Sequence, residues 1–138
     1  MKKDQTCIIK IPADIAFIHD TVEQLLVFFQ ENLVLSEEVI FDIKVILNEL
    51  IVNAIIHGDR QDNNKQVFIK AGICSEDKIY IIIEDEGEGI ADYKEMCSSD
   101  DDAVLLDERG RGLKIVSCLC SSVKRNKKGN KVVVMKKI

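Results

Sequence analysis

The sequence predicts an α+β two-layer sandwich, a largely antiparallel mixed sheet with helices on one face. Three observations predict it. Apolar residues recur at helical spacing in two long stretches near the start and one near the end. Short β-branched runs come in pairs separated by turn residues, Gln66–Ile73 with Lys78–Glu84 and Ser122–Arg125 with Lys131–Met135, and read as antiparallel hairpins. The elements follow the order β, α, α, β, β, loop, α, β, β, which suggests helices gathered over one face of a sheet.

Taken in order, Thr6 to Ile11 alternates as a short strand, and Asp14 supplies an N-cap for a helix through Leu25 and Phe28 to about Asn32. Ser36 followed by Glu37 and Glu38 opens a second helix, with its carboxylates at the positive end of the dipole. That helix ends near Gly58, a C′ residue free to turn left-handed. The first strand pair joins through Cys74-Ser75-Glu76-Asp77, and a polar, irregular stretch follows it. Helical spacing returns from Arg111 to about Cys120, and the last hairpin turns over Lys127-Lys128-Gly129-Asn130.

With 138 residues, one proline and no Gly/Ser/Pro-rich linker, residues 1–138 are expected to form one domain. A hydrophobic content of 46% and a charged content of 31% belong to an ordinary globular chain. The net charge of −5 disfavours a duty that neutralises many nucleic-acid phosphates, although a small anionic ligand stays open. Basic residues gather late, at Lys124, Arg125, Lys127, Lys128, Lys131, Lys136 and Lys137, where a solvated hairpin accounts for them. Five cysteines without a CxxC pair indicate neither a disulfide framework nor a zinc site, and Cys118 and Cys120 are expected as small buried apolar side chains. No export or membrane segment is expected, so the chain reads as cytoplasmic.

Three stretches carry chemistry. In "NELIVNAIIHG" the residues Ile43, Ile46, Leu47, Leu50, Ile51 and Ala54 form a core stripe, while Glu49, Asn53 and His57 fall one α-helical turn apart on another face. A narrow polar row between apolar flanks suggests the floor of a cleft, although His57 beside Gly58 also suits a helix C-terminus. In "IYIIIEDEGEGI" a buried strand runs into Asp85-Glu86-Gly87-Glu88-Gly89, where missing Cβ atoms admit a ligand such as an adenine ring and Asp85 offers an acceptor to its amine. In "DERGRGLKIVSCL" Gly110 and Gly112 open a helix whose free N–H groups favour phosphate. No GxxxxGK[ST] loop and no His-Arg-Asp catalytic loop occurs, which excludes P-loop enzymes and eukaryotic-type protein kinases on motif grounds.

In this order the three stretches resemble the N-box, G1 box and G2 box of the GHKL ATPase superfamily, and "NELIVNAIIHG" with "ERGRGL" resembles the bacterial anti-sigma factor serine-protein kinases within it. The resemblance covers nearly the whole chain. It implies the Bergerat fold, bound ATP or ADP, and Mg²⁺ held by Asn53. It implies that Glu49 is the catalytic base, that Asp85 holds the adenine amine, that Gly87 and Gly89 give the ring room, and that Gly110, Arg111 and Gly112 meet the β- and γ-phosphates. His57, Ile90, Arg109 and Leu113 complete the implied nucleotide set, and Ala91 to about Glu108, with acidic Ser98–Asp102, would be the ATP lid.

The partners so implied are a sigma factor and a STAS-domain anti-anti-sigma protein, with a homodimer as relatives often form, and with neither nucleic acid nor membrane. Some members present a basic residue on the first helix to the sigma factor. Here His19-Asp20 occupies that region, and His19 itself is expected as a partly buried structural histidine. Competing functions are a nucleotide-dependent switch without phosphoryl transfer, the detached ATPase domain of a sensor histidine kinase, and a ligandless scaffold.

Overall fold

A computed structural model describes residues 6–58, 62, 64–86 and 108–138, with the backbone alone described at 57, 58 and 108–113. Strand β1 (Thr6–Pro12) is followed by a 3-10 turn (Ile15–Phe17) that runs into α1 (Ile18–Asn32). Helix α2 (Glu37–Val52) continues into a π-helical turn (Asn53–Gly58). Then come β2 (Gln66–Ser75), β3 (Lys78–Asp85), α3 (Glu108–Leu119), β4 (Ser122–Arg125) and β5 (Lys131–Lys137).

Ser36 caps α2 as expected, whereas Asp14 caps the 3-10 turn that leads into α1 rather than α1 itself, whose N-cap is Phe17. Asp14 accepts from the Ala16 N–H at 2.9 Å, and Ser36 Oγ accepts from the Val39 N–H at 3.2 Å, each satisfying a donor that the first turn leaves without an intrahelical partner. At the other end of α1, Asn32 Nδ2 donates to the Phe28 carbonyl at 2.8 Å.

The five strands lie in the order β1-β2-β3-β5-β4, and every described pairing is antiparallel. The closing hairpin therefore docks through its second strand, with Ile83 opposite Val132 and Glu84 opposite Lys131. Strict alternation along β3 buries Ile79, Ile81, Ile83 and Asp85 and leaves Lys78, Tyr80, Ile82 and Glu84 half-exposed. The buried rows meet the apolar faces of the helices. Helix α2 is central, flanked by α1 and α3, and its stripe Ile43, Ile46, Leu47, Leu50, Ile51 and Ala54 is exposed by 6% or less throughout. On the opposite face Gly72 leaves the space that the Tyr80 ring fills. Among the described residues no helix is long and apolar enough to cross a membrane.

Three side-chain expectations are corrected. His19 is exposed on α1, not partly buried, because the face of α1 turned to the core is taken by Val22, Leu25, Leu26 and Phe29. Cys118 is exposed and Cys120 only partly buried, since among the described side chains of α3 it is Val116 that is fully buried in the core, with Leu119 packed against it. The basic run is not one solvated face. Lys124, Lys127, Lys128 and Lys137 are exposed, whereas Arg125 and Lys131 are half-buried and Lys136 is buried. Register explains the last case: Lys136 pairs with Ile79 and shares its inward face. Its Nζ donates to the Leu119 carbonyl at the end of α3 (2.8 Å) and lies 3.5 Å from Asp42 Oδ2 on α2, which ties both helices to the sheet.

Candidate functional site

The period of two that fills the core with isoleucine also carries Asp85 onto the helix-facing side, as the last residue of β3 and only 8% exposed. Above it, Leu50, Asn53 and Ala54 occupy i, i+3 and i+4 of the helix and share one face. These residues and Ile83 form two walls of a cleft, and the closing hairpin supplies the third through Arg125, Gly129, Asn130, Lys131 and Val132. Arg125 reaches it because its partner Val132 is in turn paired with Ile83 on the inner face.

Asn53 stands where α2 changes from α- to π-helical winding, and its N–H is shared between the carbonyls of Glu49 and Leu50. π-Helical turns are rare and concentrate at functional sites. The side-chain Nδ2 of Asn53 is buried and has no hydrogen-bond partner among the described residues. A buried amide nitrogen requires an acceptor. The change of winding also ends the α-helical row assumed from the spacing of Glu49, Asn53 and His57, because each π turn closes onto the fifth residue rather than the fourth. The side chain of His57 lies outside the described residues.

Of the carboxylate and amide expected side by side, Asn53 lines the cleft and Glu49 does not. Glu49 is half-buried one turn earlier. Asp85 is held from below by the hairpin, while its neighbour Glu86 accepts from the Gln66 N–H and keeps the strand end against β2. Gly87, Gly89, Ile90 and the lid expected from Ala91 to Ser98–Asp102 and beyond lie outside the described residues. Arg109, Gly110, Arg111, Gly112 and Leu113 fall in the first turns of α3, whose backbone is helical from Glu108, three residues earlier than Arg111. Their side chains are outside the described residues, but the first four N–H groups of any helix remain free for acceptors.

Among the described residues no group of three His, Cys, Asp or Glu side chains could hold a metal ion. A cation that keeps most of its waters and shares the oxygens of a bound phosphate needs little more than one amide oxygen, and Asn53 at the cleft wall fits that requirement.

The model of the histidine kinase-like ATPase domain matches residues 11–137. The chain belongs to that family. Within the family it is similar to the anti-sigma F factor of Clostridium perfringens (strain 13 / Type A), 48% identical over 58 residues, 42% of this chain and 41% of that protein. The anti-sigma F factor of Shouchella clausii is 45% identical over 58 residues (42% of this chain, 39% of that protein), and that of Heyndrickxia coagulans 38% over 52 residues (38% and 35%). The matches thus span about two-fifths of the length of these relatives.

For a histidine kinase-like ATPase domain, the expected superfamily and the α+β sandwich are both borne out. What the sequence reading missed is the contribution of the closing hairpin, Arg125, Gly129 and Asn130, assigned there to a solvated surface. The inward alternation of Val123 and Arg125 was the available signal, but it has meaning only once β5 is known to lie beside β3.

Proposed function

We propose that this chain is an ATP-binding anti-sigma regulator, a cytoplasmic single domain that transfers a phosphoryl group to a serine of a STAS-domain partner and holds a sigma factor away from polymerase. The observation that carries the nucleotide part is that Asn53 and Asp85 line one cleft in a chain of the histidine kinase-like ATPase family. The anti-sigma part is supported by similarity to proteins named anti-sigma F factor.

In this reading Asp85 accepts a hydrogen bond from the adenine amine, and Leu50, Ala54 and Ile83 cover the ring with apolar surface. The free N–H groups at the start of α3 meet the phosphates. Asn53 holds Mg²⁺, which when bound neutralises phosphate charge. Glu49 takes the proton as the serine Oγ bonds to the γ-phosphorus and the bond to the β,γ-bridging oxygen breaks, releasing ADP.

A second reading, a nucleotide-dependent switch without transfer, is favoured by one observation: Glu49 is not among the residues that line the cleft. Labelled Mg-ATP with the cognate STAS protein separates the two. Label on serine that disappears in Glu49→Ala supports the kinase, whereas tight nucleotide binding with no incorporation supports the switch. A melting temperature indifferent to Mg-ATP and Mg-ADP sinks both, because a ligand at 100 times its Kd stabilises by about 2.7 kcal/mol.

A further inference from the structure

The last residue of β3 is gripped by a residue 45 positions later in the chain. Asp85 donates its backbone N–H to the Asn130 carbonyl at 2.9 Å, and the Asp85 carbonyl accepts from Asn130 Nδ2 at 3.0 Å. Asn130 cannot turn its amide round without losing a bond at each end, because its Oδ1 accepts from Asn126 Nδ2 at 2.7 Å. Asn126 Oδ1 in turn accepts from the N–H groups of Gly129, Asn130 and Lys131 at 2.8, 3.1 and 3.2 Å. Gly129 adopts φ 81°, a left-handed conformation that lets the loop fold back over Asn126. The turn is thus closed on itself and offers Asn130 to Asp85 in one orientation.

The clamp sits where it matters. On one side Asp85 pairs with Val67, and on the other the β3–β5 register ends at Glu84 and Lys131, so Asn130 extends that ladder by one residue. A carboxylate that reads a single amine must be held to within a fraction of an ångström, because hydrogen bonds weaken steeply with distance and angle. We infer that Asn130, supported by Asn126, is a positioning residue that fixes Asp85 and so sets the preference of the cleft for a purine bearing an amino group at C6 over one bearing a carbonyl. The inference rests on the adenine-nucleotide reading of the cleft.

The test is the ratio of affinities for Mg-ADP and Mg-GDP, measured by calorimetry on the full chain. Asn130→Asp keeps the acceptor for Asn126 but puts an acceptor where Asp85 needs a donor, and Asn130→Ala removes both side-chain contacts, to Asp85 and to Asn126, while keeping the backbone bond. Both variants are expected to lower the ADP-over-GDP preference about tenfold, equivalent to about 1.4 kcal/mol. Lys128→Ala, an exposed change in the same loop, is expected to leave it unaltered. A general loosening of the fold weakens both nucleotides in equal proportion, so an unchanged ratio in Asn130→Asp overturns the inference. Failure of the underlying reading looks different: the unmodified chain shows no ADP preference, or Asp85→Ala retains it, and the inference then falls as well.

Discussion

Asn130 and Asp85 exchange two hydrogen bonds, one from each residue, across the seam between the closing hairpin and β3. The contact makes the geometry of the cleft depend on the turn of the closing hairpin. Gly129 is the weak point of that turn, since φ 81° is strained for any residue with a Cβ. Gly129→Ala is expected to destabilise the chain by about 1–2 kcal/mol. Urea denaturation checks this, with Lys127→Ala, exposed in the same turn, as the neutral comparison.

The fold was legible where local chemistry decides it. Ser36 and Asp14 cap as their residue types require, and the α2 stripe from Ile43 to Ala54 is core throughout. What escaped was decided by pairing between distant segments. Nothing within residues 122–137 says that β5 rather than β4 will lie beside β3, and that choice alone buries Lys136 and brings Arg125 and Asn130 to the cleft. The winding change at Asn53 escaped for a similar reason, since a spacing of four in the sequence is read through α-helical geometry by default. That Asn53 and Asp85 face one cleft was therefore legible, and the hairpin that frames the cleft was not.

Lys136 joins two helices through one buried ammonium group, donating to Leu119 O and facing Asp42. Removing Asp42 leaves that charge buried without its counter-ion, whereas Lys136→Met keeps much of the volume and removes the charge. Asp42→Asn is expected to cost about 1–3 kcal/mol, and the cost is expected to shrink when Lys136 is already Met. A double-mutant cycle in urea measures the coupling, and additive effects would contradict the assigned pairing.

Burial pushes the Cys120 thiol up from 9.0 to about 11, with the Lys136 charge acting in the opposite direction. The folded chain then holds this proton more tightly than the unfolded chain. Its contribution to stability is complete below pH 9 and is lost as pH rises through about 11. Cys120→Ala is expected to flatten the alkaline decline in that window, read as the difference between urea midpoints at the two ends. In thiol labelling near neutrality, exposed Cys74 and Cys118 are expected to react before Cys120.

Glu49 and Asn53 sit one turn apart but stand differently toward the cleft, and their substitutions are expected to separate accordingly. Asn53 lines it with a buried nitrogen that has no partner among the described residues, and in the proposed reading Asn53→Ala removes both that donor and the amide oxygen offered to the cation. Its Mg-ADP affinity is expected to fall about tenfold or more, with the Mg²⁺ dependence of binding reduced. Glu49→Gln keeps shape and removes only the carboxylate proposed as base, so under the kinase reading nucleotide affinity is expected to stay within about twofold while transfer to serine is lost, the pattern of an interaction made only in the transition state. Equal loss of affinity in both variants would mean that Glu49 serves binding rather than proton transfer, and unaltered transfer in Glu49→Gln would require a different base.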